Sequence, residues 1–264
     1  MKIGLLSDSH VSASNHFNEI MTMLPARGLV DVMVLLGDIA HYGQIFDICK
    51  HVKSILDCPV IFVAGNHEYY SYGKLRPSKL EIEALWFSQF SSDPDLHLLL
   101  DSDVEMGGIS FFGSTWWSNM GSMYDREMFR FNQNFFSDFN FIVRKRNSDD
   151  SIVLLDSMDL PIMNREARLA YSEWFAKSKN FKRVFLAHFP MLESLRHPHF
   201  PRSVYFVSED DEFIIDHKPD LICFGHTHWN MDKRVHGVRC VSNMNGYQNE
   251  MGQIGFNKNF VINI

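Results

Sequence analysis

Five short blocks hold the residues of this 264-residue chain best suited to chemistry: Asp8-Ser9-His10, Gly37-Asp38, Gly65-Asn66-His67-Glu68, His188, and Gly225-His226-Thr227-His228. Singly, each has an ordinary reading, since an Asp or Gly-Asn after a strand is usually a turn or a helix cap. His226 and His228 say more, because side chains two apart in an extended segment share a face. Imidazole nitrogens with carboxylate oxygens suit manganese, iron or zinc, and a donor set without thiolate disfavours a structural zinc. Asp8, His10, Asp38, Asn66, His188, His226 and His228 are too many ligands for one ion. They fit two ions about 3.5–4 Å apart that share a carboxylate. Such a pair brings the pKa of a bound water towards neutrality and clamps both oxygens of an in-line displacement at phosphorus.

Residues so far apart in sequence meet only if the fold carries them to one place. Every block follows a short apolar run: 2–8, 32–38, 59–65, 183–188 and 220–226, with a sixth run at 109–114. Near-continuous β-branched and aromatic runs of this length predict strands buried on both faces. Runs at 238–243 and 258–264 predict two more, without a fixed pairing direction. Between them lie helical patterns: Phe17, Ile20, Met21 and Leu24; Ile45, Ile48, Cys49, Val52 and Ile55; residues 78–91; and Ala167, Ala170, Tyr171, Trp174 and Phe175, for which Asn164 is the expected N-cap. Alternating strands and helices predict an α/β fold with mainly parallel pairing. In an open α/β sheet ligands bind beyond the carboxyl ends of the strands, where these blocks fall. The chain reads as one domain over 1–264, with an irregular, aromatic-rich excursion at about 114–163.

The formal net charge of −7 and the small basic clusters argue against tight binding to a nucleic-acid backbone. Four scattered Cys without a C-x-x-C point away from a disulfide framework, and Cys223 reads as a buried thiol. No window approaches the roughly 20 apolar residues of a membrane span, and the N-terminus lacks a signal-peptide pattern. A cytoplasmic location with no membrane partner is the expectation; the sequence leaves the oligomeric state open.

D-x-H, G-D, G-N-H-E, a lone His and G-H-x-H in this order resemble the calcineurin-like metallophosphoesterases, and the motifs span residues 8 to 228. The resemblance implies a four-layer α/β/β/α sandwich of two mixed β-sheets, with the metal site at the strand ends. It assigns Asp8, His10 and His228 to one ion and Asn66, His188 and His226 to the other. Asp38 bridges them with a water or hydroxide that attacks phosphorus. His67 is then not a ligand: it contacts the phosphate and protonates the leaving oxygen. The implied activity is a metal-dependent phosphoric ester hydrolase, with manganese the first choice and iron or zinc the alternatives. Its substrate is a small phosphate ester or a nucleotide.

The stretch "GISFFGSTWWSN" also resembles stand-alone bacterial and viral members, in which it lies near the metals. Ser114, Thr115, Trp116 and Trp117 are therefore expected to border the substrate, two core tryptophans being the rival reading. His197 and His199 follow His188 closely enough to approach the site, with a surface loop the rival. Asn243 and Tyr247 are candidates to support the ligands. Where protein phosphatases of the superfamily carry G-D-x-x-D-R-G, this chain reads "GDIAHYG", without the second Asp and the Arg. The G-D-x-x-H form resembles the superfamily's repair nucleases, so His41 is expected in the substrate pocket, favouring phosphodiesters; its rival role is to cap the helix that follows. Phosphomonoesterase and nuclease activities remain alternatives. A non-catalytic binding scaffold is a remote one, since all eight key positions are intact.

Overall fold

The alternating apolar runs form two sheets that share one buried layer. The computed structural model describes residues 1–73, 76–199, 204–250 and 252–264. Its strands are β1 (Lys2–Leu6), β2 (Val32–Leu36), β3 (Val60–Val63), β4 (Leu96–Leu99), β5 (Ser102–Met106), β6 (Ile109–Ser114) and β7 (Val143–Arg146). They continue with β8 (Ile152–Leu154), β9 (Lys182–Ala187), β10 (Leu221–Phe224), β11 (Asp232–Val235), β12 (Val238–Val241) and β13 (Val261–Asn263). The helices are α1 (His16–Met23), α2 (Ile45–Leu56), α3 (Lys79–Phe90), α4 (Met123–Arg130), α5 (Asp138–Phe141), α6 (Leu160–Lys177) and α7 (Asp211–Asp216).

The first sheet runs β13-β1-β2-β3-β4 and the second β11-β12-β10-β9-β6-β5. Pairing is parallel from β1 to β4 and among β12, β10, β9 and β6. The edge strands β13, β11 and β5 are antiparallel. Both sheets are therefore mixed.

The period of two decides which layer each side chain enters. Ile3, Leu5, Val32, Val34, Leu36, Ile61 and Val63 point between the sheets, against Phe111, Val184, Leu186, Leu221, Cys223 and Val241. The alternate residues Leu6, Met33, Leu35, Val60 and Phe62 pack on α1, α2 and α3 through Ile20, Ile48, Cys49, Val52, Ile82 and Trp86. On the far side Phe112, Phe185, Ala187, Ile222 and Phe224 pack on α6 and α7 through Ala167, Tyr171, Trp174 and Ile214. These are the four layers of an α/β/β/α sandwich. With both faces of each sheet covered, the central strands have no polar face, which is why they read as unbroken apolar runs.

Ser78 caps α3 in a reciprocal capping box with Glu81. The expectation for α6 needs correction: the helix begins at Leu160, with Pro161 in its first turn, so Asn164 lies inside it. Asn164 is buried, and its Nδ2 donates to Trp117 O at 2.9 Å and Asp210 Oδ2 at 3.1 Å. A residue type suited to capping instead satisfies interior acceptors. The irregular segment contributes α4, α5 and the β7–β8 hairpin. It closes on the first sheet's end, where Ser71 N donates to Phe141 O at 3.0 Å and Tyr70 pairs with Ile142.

Candidate metal centre

The carboxyl ends of β1, β2, β3, β9 and β10 bring the five sequence blocks together. The loop after β1 continues alongside the loop after β2: Asp8 N donates to Gly37 O, His10 N to Asp38 O and Val11 N to Ile39 O, at 2.9–3.0 Å. Gly225 N donates to His188 O at 3.0 Å, and His226 N points at both oxygens of Asp8 at 3.0 Å.

Three glycines permit this convergence. A Cβ at Gly65 would sit 2.7 Å from the Asp38 backbone nitrogen and 2.8 Å from His188 Cε1. One at Gly225 would lie 2.8 Å from Asp8 Oδ2, and one at Gly37 would strike Gly65 N at 2.7 Å. The glycines of G-D, G-N-H-E and G-H-x-H are thus required by close approach. The side chains that converge also bend the chain unusually. Asp8, His10, Asp38, His226 and His228 all have left-handed backbone, with φ of 51°, 42°, 53°, 70° and 49°. Residues in this region cluster where the surrounding fold overrides local preference.

Asp8, His10 and His228 place donor atoms within 4.8 Å of one another, and so do Asp38, His188 and His226. His228 Nε2 lies 3.3 Å from Asp8 Oδ1 and 3.2 Å from His10 Nε2. His188 Nε2 lies 3.4 Å from Asp38 Oδ1 and 3.2 Å from Asn66 Oδ1. The other oxygen of Asp38, Oδ2, is 4.0 Å from His10 Nε2 and 3.8 Å from His67 Nε2. A third grouping, His10, Asp38 and His67, joins the two clusters through that oxygen.

Outer contacts set the ring orientations. His188 Nδ1 faces Leu36 O at 3.0 Å and His228 Nδ1 faces Glu250 Oε2 at 2.6 Å, which turns both Nε2 atoms inward. His226 stacks on Phe189 at 3.8 Å, and its Nε2 is buried with no hydrogen-bond partner among the described residues. An orphaned buried imidazole nitrogen in a nest of carboxylates and imidazoles fits a site built for cations.

The electrostatics agree. Burial disfavours charge on His188, but the Asp38 and Asp8 carboxylates outweigh it and push this ring up to about 10. His228 goes the same way, to about 9, against burial and because of Asp8 and Glu250. Burial holds His10 down at about 4 and His226 well below its ordinary value. Asp8 and Asp38 fall below the usual carboxylate range despite burial, through the facing histidines. Two buried carboxylates thus stay ionised and call for positive charge, from protons or from metal.

The family model of the calcineurin-like phosphoesterases matches residues 1–230. The chain belongs to this family. It is therefore a metal-dependent phosphoric ester hydrolase of a family that uses a dinuclear divalent metal centre. This calcineurin-like phosphoesterase is 24% identical over 232 residues to the uncharacterized protein L509 of Acanthamoeba polyphaga mimivirus, covering 83% of this chain and 79% of that one. Among solved structures, the phosphopantetheinyl hydrolase of Mycobacterium tuberculosis superposes with a TM-score of 0.66 at 16% identity, covering 94% of this chain and 90% of the other. A dimetal phosphatase from Danio rerio aligns with a TM-score of 0.48 at 14% identity, covering 92% and 86%.

A cleft of about 370 Å³ opens over the candidate ligands of the phosphoesterase, walled by Phe136, Tyr205, Phe206 and Tyr247, with Arg196 and His197 also lining it. A shallower hollow adjoins it and shares Asp38, His67, Tyr70 and Tyr247; His10 and His41 line this second space. His67 is part-exposed between the two, its ring stacked on Tyr70 at 4.4 Å. His41 Nδ1 accepts from Gly43 N at 3.3 Å, which caps the short turn Tyr42–Gln44, and the residue lines the second hollow.

Five other expectations, for Ser114, Thr115, Trp116, Trp117 and His199, need correction, because none of these residues lines either space. Ser114 is buried and bonds Asp101 at 2.6 Å, and Thr115 is buried and donates to Ala64 O at 2.8 Å. Trp116 is buried against Tyr171 and Phe185, its indole N–H donating to Asp210 at 3.0 Å. Trp116 joins the layer of α6 and α7, and Trp117 is buried in the layer of α1–α3, against Phe189 at 5.4 Å. His199 is exposed and turned to His197 and Trp229. Of the two expected supports, Tyr247 stacks on His10 at 4.3 Å. Asn243 instead ties Leu5 O to Asn257 O, at 2.7 and 3.0 Å.

The sequence places Glu68 in the G-N-H-E block but does not show its role. Its buried carboxylate accepts from the backbone N–H groups of Asp38, Ile39 and Gly65 at 2.6–2.8 Å, which locks the ends of β2 and β3 together. Glu250 was missed. Glu68 sits inside a motif and Glu250 lies 22 residues beyond His228, and only the fold shows which groups they hold.

Proposed function

We propose that this phosphoesterase hydrolyses its ester with two divalent ions, one held by Asp8, His10 and His228 and the other by Asn66, His188 and His226, with Asp38 shared. The observation that carries the reading is the position of Asp38, whose two oxygens face the His188 side at 3.4 Å and the His10 side at 4.0 Å. Manganese is the expected metal, given donors that are all imidazole, carboxylate or amide. When bound, such ions supply an activated water and polarise the phosphoryl oxygens.

The chain's own residues do the rest. Asp38 fixes the spacing of the two ligand groups, with its Oδ1 held by the His67 backbone N–H at 2.9 Å. The His67 ring, part-exposed and braced by Tyr70, stands where it can deliver a proton to the departing ester oxygen. Buried walls of Phe189, Tyr205 and Tyr70 limit water around the ligands.

Phosphodiesters are the favoured substrates. The two adjoining spaces that share His67 and Asp38 leave room for a substituent on each side of one phosphorus, and His41 lines the smaller. The test is hydrolysis of matched chromogenic mono- and diesters by chelated protein restored with Mn²⁺, alongside metal content. Two ions per chain with a faster diester rate is expected. Failure to bind two ions refutes the metal assignment, and a faster monoester rate refutes the substrate preference.

A further inference from the structure

Asp138 lies in the irregular segment, far from every motif, yet it is buried beside the candidate metal ligands. Its Oδ1 accepts from Asn66 Nδ2 at 2.9 Å and from the Tyr70 hydroxyl at 2.5 Å, and its Oδ2 accepts from the Tyr205 hydroxyl. One carboxylate thereby contacts a ligand amide, the ring that backs His67 and a wall of the substrate cleft.

From this geometry we infer that Asp138 is a positioning residue that fixes which end of the Asn66 amide faces the metal. An amide offers a carbonyl oxygen on one side and an NH₂ on the other, and only the oxygen can ligate a cation. Both oxygens of Asp138 act as acceptors in these contacts, so Asp138 Oδ1 selects the NH₂ end and leaves Asn66 Oδ1 aimed at His188 Nε2, 3.2 Å away. Without that selection the NH₂ could turn towards the metal and abolish one ligand. The inference rests on the reading of Asn66 as a ligand. On this view the irregular segment carries the group that completes a site built by strands elsewhere. Outer-sphere partners of this kind typically change metal affinity by roughly 10–100-fold.

The experiment is metal titration by calorimetry on chelator-stripped full-length protein with Mn²⁺, comparing wild type, Asp138→Asn and Tyr205→Phe. Asp138→Asn offers an NH₂ as well as a carbonyl oxygen, so it no longer selects one end of the Asn66 amide. Tyr205→Phe removes a different donor from the same carboxylate and leaves the Asn66 contact in place. Expected are two binding events in the wild type, one of them weakened about 10–100-fold in Asp138→Asn and both unchanged in Tyr205→Phe. Thermal unfolding of the stripped proteins checks folding, and Asp138→Glu, which restores an acceptor-only group, should recover part of the loss. Wild-type affinities in Asp138→Asn overturn the inference, as does equal weakening of both events or equal weakening by Tyr205→Phe. Fewer than two events in the wild type would instead refute the two-metal reading beneath it.

Discussion

Gly65→Ala tests whether the close approach at the strand ends is what builds the site. Gly65 has no left-handed backbone to excuse it, so the only obstacle to alanine is space. The new Cβ would lie 2.7 Å from Asp38 N and 2.8 Å from His188 Cε1, where ordinary contacts begin at 3.4 Å. The shortfall is 0.6–0.7 Å against a backbone atom and a buried ring, neither of which is a flexible side-chain end. Overpacking of this kind costs about 1–3 kcal/mol, offset by about 0.4–1 kcal/mol from a less flexible unfolded chain. At roughly 2–4 °C per kcal/mol for a chain approaching this size, Tm should fall by up to about 10 °C. Because the clash moves Asp38 and His188 themselves, metal affinity should fall too. Gly43→Ala is the control: its nearest neighbour would be His41 Nδ1 at an ordinary 3.6 Å. The assay is thermal unfolding of each variant in chelator, then Mn²⁺ titration. If Gly65→Ala melts with Gly43→Ala and binds metal like the wild type, the packing argument is wrong.

Other substitutions probe individual roles. Asp38→Asn should lower bound metal below two ions per chain and nearly abolish turnover, as elemental analysis and phosphoester hydrolysis would show. His67→Ala should keep its metal and lose roughly 10²–10⁴-fold in kcat on esters with poor leaving groups, with a smaller loss on nitrophenyl esters. Equal losses on both would reassign His67 to phosphate binding. His41→Ala should slow diester hydrolysis more than monoester hydrolysis; a common factor would reduce His41 to its capping bond with Gly43. Glu250→Gln, which weakens the 2.6 Å contact to His228 Nδ1, should cost roughly 10–100-fold in metal affinity without changing the fold.

The parts of this molecule legible in its sequence are those where one physical demand dictates residue type. Strands covered on both faces must be apolar throughout, so β1, β2, β3, β9 and β10 stand out. The candidate metal-binding blocks at their ends stand out because few other roles assemble those side chains. The edge strands β5 and β11 do not. β5 reads "SDVEM" and β11 "DKRV", since an edge with an open face carries the charges that otherwise mark a loop. The roles of Asp138, Glu68 and Glu250 are illegible for another reason: an acid's partners are set by tertiary approach, and no spacing announces them. Trp116 misleads in the opposite direction, because an aromatic beside a motif can enter the cleft or the layer beneath it, and β6 sends it beneath.

The left-handed backbone at Asp8, His10, Asp38, His226 and His228 narrows what evolution can place there. Asn, Asp and His are the non-glycine residues that enter this conformation most readily, and they are also cation ligands. Glutamate at position 8 or 38 would keep the charge, but it would lengthen the reach and lose the short side chain that eases the bend. Two independent filters, coordination chemistry and chain geometry, therefore admit nearly the same short alphabet. An exchange at these positions must therefore suit the bend of the chain as well as the ligand role proposed for it.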